Sequence, residues 1–245
     1  MGYYNYQQGL LNHHLNQEEN WNNHNRQCRS FILRAVDFFR PEKITVLGSG
    51  WLLDLPLAEM ADKTGKIVLI DIIHPPEVVA QTSGIKNVEL VEEDITGGLI
   101  KEVWEKAGRR NFLNRLPTLD AIHIPDYQPA DDPGMVISLN ILTQLEILPG
   151  KLLKQKSKAS ESQFIKFREE IQKKHLLFLA KHKSVLMTDI AELVTDSKGN
   201  KTGRPTLAVQ LPEGRERDEW IWDFDLLGND FRQKKFIFKI AAIMF

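Results

Sequence analysis

The chain has 245 residues, with 32 basic and 33 acidic side chains, and this balance argues against a nucleic-acid surface or a polybasic membrane anchor. One sizeable core is expected at this length, and no apolar run approaches the roughly 18 residues of a membrane helix. The single cysteine, Cys28, excludes an intramolecular disulfide framework and, together with a polar amino terminus, predicts a cytoplasmic protein.

The first section, residues 1–42, is rich in Asn, Gln and His, and its apolar residues recur at helical intervals. Two amphipathic helices are therefore predicted, the second ending at Arg40-Pro41. Because no Gly/Ser linker follows, we expect these helices to pack as a cap on the main domain, residues 43–245. Side chains of the cap that could cover a pocket are Tyr3, Tyr4, His13, Trp21 and His24.

A βαβ unit is predicted over residues 43–71. Two short apolar runs indicate buried parallel strands, and the residues between them are spaced as in a helix. Gly48-Ser49-Gly50 allows a sharp turn after the first strand, because glycine adopts backbone angles closed to other residues. The second strand ends at Asp71, and ligands bind at the carboxyl ends of such strands. The predicted elements are strand Ile44–Leu47, a helix from Leu52 that ends at Thr64-Gly65, and strand Ile67–Ile70.

The rest of the chain continues to alternate strands and helices. Residues 108–133 are irregular and long for one connection, so they hold either an extra strand at Leu119–Ile124 or an insertion over the site. The last run, Lys235–Phe245, is apolar on both faces, which predicts a buried final strand. The other predicted elements are a short helix ending at Ala80, strand Val88–Val91, helix Leu99–Ala107, strand Met135–Leu139, helix Ile141–Leu148, a basic non-helical link at Lys151–Lys158, helix Phe164–Leu179, strand Ser184–Met187, a turn at Asp196–Asn200 and a strand containing Trp220 and Trp222.

The spacing of glycines and acids indicates a nucleoside ligand. Gly50 and Asp71 are separated by the roughly 20 residues that nucleotide-binding α/β folds place between a glycine turn and a ribose-binding acid. Asp94 follows the third strand in the same way. Leu53 stands where a dinucleotide fingerprint has its third glycine, and a phosphate-binding Lys-Ser/Thr pair is missing. The pattern therefore favours an adenosine-type ligand without phosphates.

The segments VLGSG, VLID, VEEDI and VISLN together resemble the class I S-adenosylmethionine-dependent methyltransferases. The segment GSGWLLDLPL further resembles a poorly characterised bacterial branch of that superfamily. The resemblance implies a Rossmann-like α/β fold, with a mostly parallel seven-stranded sheet and an antiparallel C-terminal strand. It also implies S-adenosyl-L-methionine as the cofactor and a small-molecule or unknown acceptor. The charge balance and the lack of a long apolar run predict neither a nucleic-acid partner nor a membrane, and the oligomeric state is left open. The implied cofactor contacts are Gly48, Ser49 and Gly50 at the methionine part, Asp71 at the ribose, Ile72, Asp94 and Ile95 at the adenine, and Ser138 near the sulfonium.

Asn140, at the end of the fourth predicted strand, is the first candidate for orienting the acceptor, ahead of Gln144 and Tyr127. Methyl transfer needs alignment more than a catalytic triad, so no further catalytic residue is predicted. Asp54 is expected only to cap a helix. With one cysteine and no clustered ligands, no metal is predicted.

Three residues depart from the family pattern. Val46 replaces an acid, Leu52 replaces a third glycine, and the bulky Trp51 stands between Gly50 and Leu52. Two alternatives stay open, and these departures favour the first of them. One is a non-catalytic protein of the same fold that binds a nucleoside-like ligand or a partner. The other is an NAD(P)-dependent oxidoreductase.

Overall fold

The computed structural model describes residues 1–227 and 234–245, apart from the side chains of Leu10, His13, Glu18 and Phe112. His13, predicted for the cap, thus lies outside the described side chains. Eight strands are found in these ranges: β1 (Lys43–Leu47), β2 (Lys66–Asp71), β3 (Val88–Glu92), β4 (Met135–Leu139), β5 (Ser184–Thr195), β6 (Lys201–Pro205), β7 (Glu216–Asp225) and β8 (Lys235–Met244).

The strands form one sheet in the order β3-β2-β1-β4-β5-β8-β7, and β6 pairs with the far end of β5. The first five strands in this order are parallel, whereas β8 runs antiparallel to both β5 and β7. The predicted fold class, a mostly parallel seven-stranded sheet with an antiparallel C-terminal strand, is therefore confirmed. Every residue of β6 is exposed, so it has none of the apolar alternation by which a sequence predicts a strand.

Seven α-helices are found in the described residues: α1 (Tyr3–Asn16), α2 (Glu18–Phe39), α3 (Leu57–Lys63), α4 (Pro76–Thr82), α5 (Leu99–Ala107), α6 (Ile147–Lys156) and α7 (Glu161–Leu179). The two N-terminal helices match the prediction. The second ends at Arg40, whose φ of 45° is left-handed, directly before Pro41.

Apolar side chains cover both faces of the sheet. On one face α2 buries Phe31 and Ile32 against strand residues that include Ile44 and Ile240. On the other face α5, α6 and α7 pack around Leu186. A fully buried side chain of this size stabilises the fold by about 1.5–3 kcal/mol, so the helices are held mainly by these two layers.

Helix α2 lies along the edge strand β7. The indole of Trp21 donates a hydrogen bond to the Phe224 carbonyl at 3.1 Å, and Arg34 forms ion pairs with Glu216 and Asp218. The N-terminal helices are thus anchored on the half of the sheet that the last strands form.

Two predicted helix starts are wrong. The helix expected from Leu52 begins at Leu57, because Gly50 and Leu52 have φ values of 52° and 62°, which no right-handed helix contains. The helix expected at Ile141–Leu148 instead spans Ile147–Lys156, after a left-handed Asn140 and a turn.

The predicted basic link at Lys151–Lys158 is also wrong, since most of it belongs to α6. Its lysines and leucines are good helix formers, and the basic side chains of the last turn interact favourably with the negative end of the helix dipole. Residues 108–133 contain one short 3₁₀ helix, Phe112–Asn114, so the extra strand expected at Leu119–Ile124 is not formed. Leu116, Leu119 and Ile122 instead anchor this segment in the core beside α5.

Within the described residues, no helix is both long enough and apolar enough to cross a membrane.

Candidate functional site

A cavity of about 480 Å³ opens at the carboxyl ends of the parallel strands, beneath α1 and α2. Two groups of residues line it. The turn side comprises Gly48, Ser49, Gly50, Trp51, Asp71, Ile72, Asp94 and Ile95, and the aromatic side comprises Trp21, His24, Asn140, Thr143, Asp189, Trp222, Phe224 and Phe238. Seven of the eight predicted cofactor contacts therefore lie on the turn side, and Asn140 lies on the aromatic side of the same cavity.

The glycine turn brings bare backbone to the cavity. Gly48 has a φ of 77°, and a Cβ there would lie 2.9 Å from the Cβ of Ile141, so both conformation and space require glycine. Gly50 has a φ of 52° and nothing within 4 Å of a Cβ position, which leaves its backbone open to the cavity. The Ser49 hydroxyl is buried and has no hydrogen-bond partner among the described residues. A ligand can approach this turn closely.

Asp71 is tied to the turn. Its Oδ2 accepts a hydrogen bond from the Gly50 N–H at 2.9 Å, and its Oδ1 accepts one from the Ile72 N–H at 2.8 Å. Burial raises the pKa of this carboxyl, and these N–H groups oppose the shift. The spacing predicted that Gly50 and Asp71 would meet, and the direct bond between them gives the reason.

Helix α1 closes over the carboxylate. The Gln7 amide Nε2 donates to Asp71 Oδ1 at 2.7 Å, and the Trp51 indole donates to the Gln7 carbonyl at 3.0 Å. Trp51 thus packs against the helix at the cavity wall and does not fill the space. The Gln7 Oε1 is buried without a partner among the described residues, so an acceptor remains free beside Asp71.

The two other departures from the family pattern have distinct outcomes. Leu52, which replaces a glycine, still has the left-handed backbone that glycine favours, with a φ of 62°, and its side chain is buried in the core. Val46 is fully buried in the same core, so no acid faces the turn from that position. The turn forms in spite of both residues.

The Asp94 carboxylate accepts hydrogen bonds from main-chain N–H groups at the start of α5. Its Oδ1 accepts from the Thr96 N–H at 3.0 Å and its Oδ2 from the Ile100 N–H at 3.2 Å. Tyr3 of α1 lines the same cavity, and burial and then the charge of Asp94 raise the pKa of its hydroxyl. Asp94 and Ile95 therefore form the wall opposite the glycine turn.

Asn140 has a left-handed backbone, with a φ of 51°, where β4 meets the cavity. Its Nδ2 donates to Asp54 Oδ2 at 2.7 Å, and its Oδ1 is buried without a partner among the described residues. The sequence position of Asp54 predicted a helix-capping role. In the structure Asp54 instead orients the Asn140 amide. Gln144 donates from Nε2 to the Asn140 carbonyl at 2.5 Å and also lines the cavity.

Two predicted residues lie away from the cavity. The Ser138 hydroxyl is fully buried at 2.8 Å from Nε2 of His175 on α7, because β4 alternates its side chains and Ser138 faces the helix. Tyr127 donates its hydroxyl to Glu93 Oε2 at 3.0 Å from behind the cavity wall. None of the described side chains of residues 108–133 lines the cavity, so this segment does not cover the site.

His24 belongs to the one group in the described residues that could be considered for a metal, with Cys28 and Asp54. The Trp220 indole donates to His24 Nδ1 at 3.2 Å. The other ring nitrogen, Nε2, lies 3.3 Å from Asn140 Nδ2 and 3.5 Å from Cys28 Sγ, so both ring nitrogens of His24 already face hydrogen-bond partners. The group therefore fits a hydrogen-bonded wall.

Sequence reasoning missed most of the aromatic side. Asp189 follows an unremarkable apolar strand, and Trp222, Phe224 and Phe238 alternate in strands whose default interpretation is packing. Gln7 was missed as well, because nothing in a polar helix distinguishes one amide from its neighbours. Only the folded chain brings these residues to one cavity.

No protein-family model matches the chain, and no curated protein matches it. Among solved structures it is similar to the N-methyltransferase NodS from Bradyrhizobium japonicum WM9, in complex with S-adenosyl-L-homocysteine, at 10% identity over 88% of this chain and 85% of that chain, with a TM-score of 0.39. The methyltransferase domain of bacterial CtHen1 gives 8% identity over 90% and 99% of the two chains and a TM-score of 0.37.

An rRNA methylase from Streptococcus thermophilus gives 12% identity over 86% and 96%, with a TM-score of 0.28. All three likenesses are weak. The fold therefore stands on the observed strand order, and the function on the geometry of the cavity.

Proposed function

We propose that the chain is an S-adenosylmethionine-dependent methyltransferase. The observation that supports it most directly is the bond between the Asp71 carboxylate and the Gly50 N–H, at the mouth of a cavity of about 480 Å³. A carboxylate fixed beside an open glycine turn suits a ribose diol, which donates two hydrogen bonds.

The residues present fit this cofactor. The buried Ser49 hydroxyl has no partner among the described residues, and an unpaired buried polar atom is costly unless a ligand pairs it. In the proposed complex the methionine part lies along Gly48, Ser49 and Gly50. The adenine lies between Ile72 and the wall of Asp94 and Ile95.

When bound, S-adenosylmethionine supplies a methyl group on a sulfonium, which is already activated for displacement. The chain's own task is to align an acceptor and to exclude water. Asn140 orients the acceptor through its free Oδ1, because the bond from Nδ2 to Asp54 fixes the amide. The buried thiol of Cys28, the one cysteine of the chain, favours a reducing compartment such as the cytoplasm.

In this proposal the N-terminal section, residues 1–42, acts as a cap. Asp71 Oδ1 already accepts two hydrogen bonds, from Gln7 and Ile72, and one carboxylate oxygen has about two acceptor sites. A diol that contacts both oxygens must displace the Gln7 amide. We therefore expect α1 to move when the cofactor enters.

Calorimetric titration with S-adenosylmethionine, S-adenosylhomocysteine and NAD tests the proposal. Binding of the first two, with at least a 100-fold loss in Asp71→Ala, is expected because the variant removes both ribose acceptors. Asp62→Ala, an exposed acid on α3 outside the cavity, is the matched control. Binding of NAD alone would indicate an oxidoreductase, and binding of none of the three would indicate a protein without this cofactor.

A further inference from the structure

The aromatic side of the cavity holds more acid than base. Four carboxylates and two guanidinium groups line this part of the cavity and its rim: Asp54, Glu146, Asp189 and Glu192 with Arg168 and Arg204. Each arginine is already paired. Arg168 donates from Nε to Glu146 at 2.7 Å, and Arg204 donates from Nε and Nη2 to one oxygen of Glu192 at 3.0 and 2.8 Å.

This pairing leaves Asp189 without a cation among the described residues. Its Oδ1 accepts from the Thr143 hydroxyl, and the Thr206 hydroxyl donates to its main-chain carbonyl at 2.9 Å. Both donors are neutral. Asp54 is already engaged in the cavity wall, where it accepts the Asn140 amide and orients it. A half-buried carboxylate that accepts one side-chain hydroxyl and pairs with no cation among the described residues is poorly compensated, and a positive charge beside it would be stabilised.

The local backbone aims Asp189 at the cavity. The register between β5 and β8 shifts between Asp189 and Ala191, so the strand bulges where it reaches the site. Bulges of this kind re-aim side chains next to active sites. Tyr6 of α1 lines the same cavity as Asp189. Burial, and then the charges of Asp189 and Glu146, raise the pKa of the Tyr6 hydroxyl to about 12.

An aromatic wall faces the same space. Trp222 and Phe238 are half-buried with ring centroids 6.0 Å apart, and His24 stacks on Trp222 at 3.9 Å. The electron-rich faces of such rings attract cations. The free Oδ1 of Asn140 adds an unpaired acceptor. A carboxylate, a carbonyl oxygen and aromatic faces together suit a positively charged group that donates hydrogen bonds.

We infer that the aromatic side binds an ammonium group of the acceptor substrate, with Asp189 as its anchoring carboxylate and Trp222 and Phe238 as its apolar wall. The inference rests on the proposed methyltransferase function, since it names the class of acceptor: a small amine with an apolar or aromatic body. The cavity volume of about 480 Å³ suits a small molecule rather than a folded macromolecule.

Three probes test this inference on the full-length protein, in the presence and absence of S-adenosylhomocysteine: benzylamine, benzyl alcohol and benzyltrimethylammonium. We expect benzylamine to bind at least about tenfold more tightly than benzyl alcohol, because a hydrogen bond to a charged group is stronger than a neutral one. The trimethylated probe, which is charged but cannot donate, is expected to lie between the two.

Asp189→Asn keeps the shape of the side chain and removes its charge. It is expected to lower the affinity for benzylamine about tenfold and to leave benzyl alcohol unchanged. Asp62→Asn makes the same change at an exposed position outside the cavity and should bind both probes as the wild type does. Equal binding of amine and alcohol by the wild type, or undiminished binding of the amine by Asp189→Asn, would overturn the inference.

The wild-type comparison decides the question even if Asp189→Asn fails to fold. The two proposals also fail separately. A protein that binds S-adenosylhomocysteine but does not prefer the amine contradicts only the ammonium site. A protein that prefers the amine but does not bind S-adenosylhomocysteine contradicts the methyltransferase.

Discussion

The two sides of the cavity are built in different ways. The turn side comes from short stretches that directly follow β1, β2 and β3, and its key contact joins Gly50 to Asp71, 21 residues apart. The aromatic side gathers residues from α2, from the loop after β4, and from β5, β7 and β8. There, the Trp220 indole bonds to His24 across 196 residues of sequence. Local geometry builds one side, and the whole fold builds the other.

This difference separates their proposed roles. A site built from strand ends and a glycine turn presents backbone groups, which suit an invariant ligand such as a nucleoside. A site built from side chains of distant elements can change one residue at a time, which suits recognition of a particular acceptor. If the two sides are independent, a substitution on one side should leave ligand binding on the other side unchanged.

The largest expected effect is at the turn. Gly48→Ala places a Cβ 2.9 Å from the Cβ of Ile141 on a backbone with a φ of 77°, so strain and overlap both oppose folding. We expect a loss of about 3 kcal/mol in the free energy of unfolding, measured by urea denaturation. The matched control is Gly84→Ala, where a Cβ meets open space, and it should change stability by less than about 1 kcal/mol. Equal losses in the two variants would show that the turn imposes no special constraint.

The next effect concerns the core behind both sides. Burial lowers the pKa of His175 to about 4, against 6.5 for the free imidazole. Between these values the unfolded chain binds a proton that the folded chain does not, so the free energy of unfolding decreases as the pH falls through this window. The expected loss is on the order of 2–3 kcal/mol, measured by urea denaturation at several pH values.

In His175→Gln the free energy of unfolding should decrease less as the pH falls, because glutamine does not titrate. The substitution His123→Gln, at an exposed position, should keep the pH dependence of the wild type. If His175→Gln kept the full pH dependence of the wild type, a group other than His175 would be responsible for it.

A smaller effect is predicted for the cap. Gln7→Ala removes the amide that occupies Asp71 Oδ1, so the ribose no longer has to displace it. We expect the affinity for S-adenosylhomocysteine to rise about tenfold by calorimetry, since a hydrogen bond to a carboxylate is lost from the free protein only. Gln8→Ala, the same change on a side chain outside the cavity, should leave the affinity unchanged. Weaker binding by Gln7→Ala would mean that Gln7 holds the nucleoside and does not compete with it.

The smallest expected effect tests the separation itself. Asp189→Asn should alter the affinity for S-adenosylhomocysteine by less than about twofold, because its contacts on the aromatic side are with Thr143 and Thr206 and not with the turn. A large loss, measured by the same titration, would show that the two sides form a single coupled site.

Much of the fold could be predicted from the sequence, because buried parallel strands are short apolar runs that local patterns reveal. Strand Met135–Leu139 and helix Leu99–Ala107 have the predicted bounds. The two late helix starts occur where single residues adopt left-handed backbone. Leu52 and Asn140 have φ values of 62° and 51°, and each delays the helix that the apolar spacing indicated. Asparagine adopts this conformation more readily than most residues, whereas leucine rarely does, so nothing at position 52 indicated it.

The candidate site divides in the same way. The residues of the turn side were found because the spacing from a glycine turn to the acid after the next strand is a local pattern of nucleotide-binding α/β folds. Ser138 was placed on the cavity by its position in the chain, yet the alternation of β4 turns its hydroxyl to His175. Gln7 and Asp189 could not be found, because their roles depend on which strands and helices meet. Pairing of distant elements is a property of the fold and not of the local sequence.

A crystal structure of the full-length protein with S-adenosylhomocysteine tests the central claim most directly. We expect both ribose hydroxyls within hydrogen-bond distance of the Asp71 carboxylate, the homocysteine part along Gly48-Ser49-Gly50, and the Gln7 amide displaced from Oδ1. A nucleoside bound elsewhere, or one that leaves the bond between Gln7 and Asp71 at its present 2.7 Å, would contradict the account.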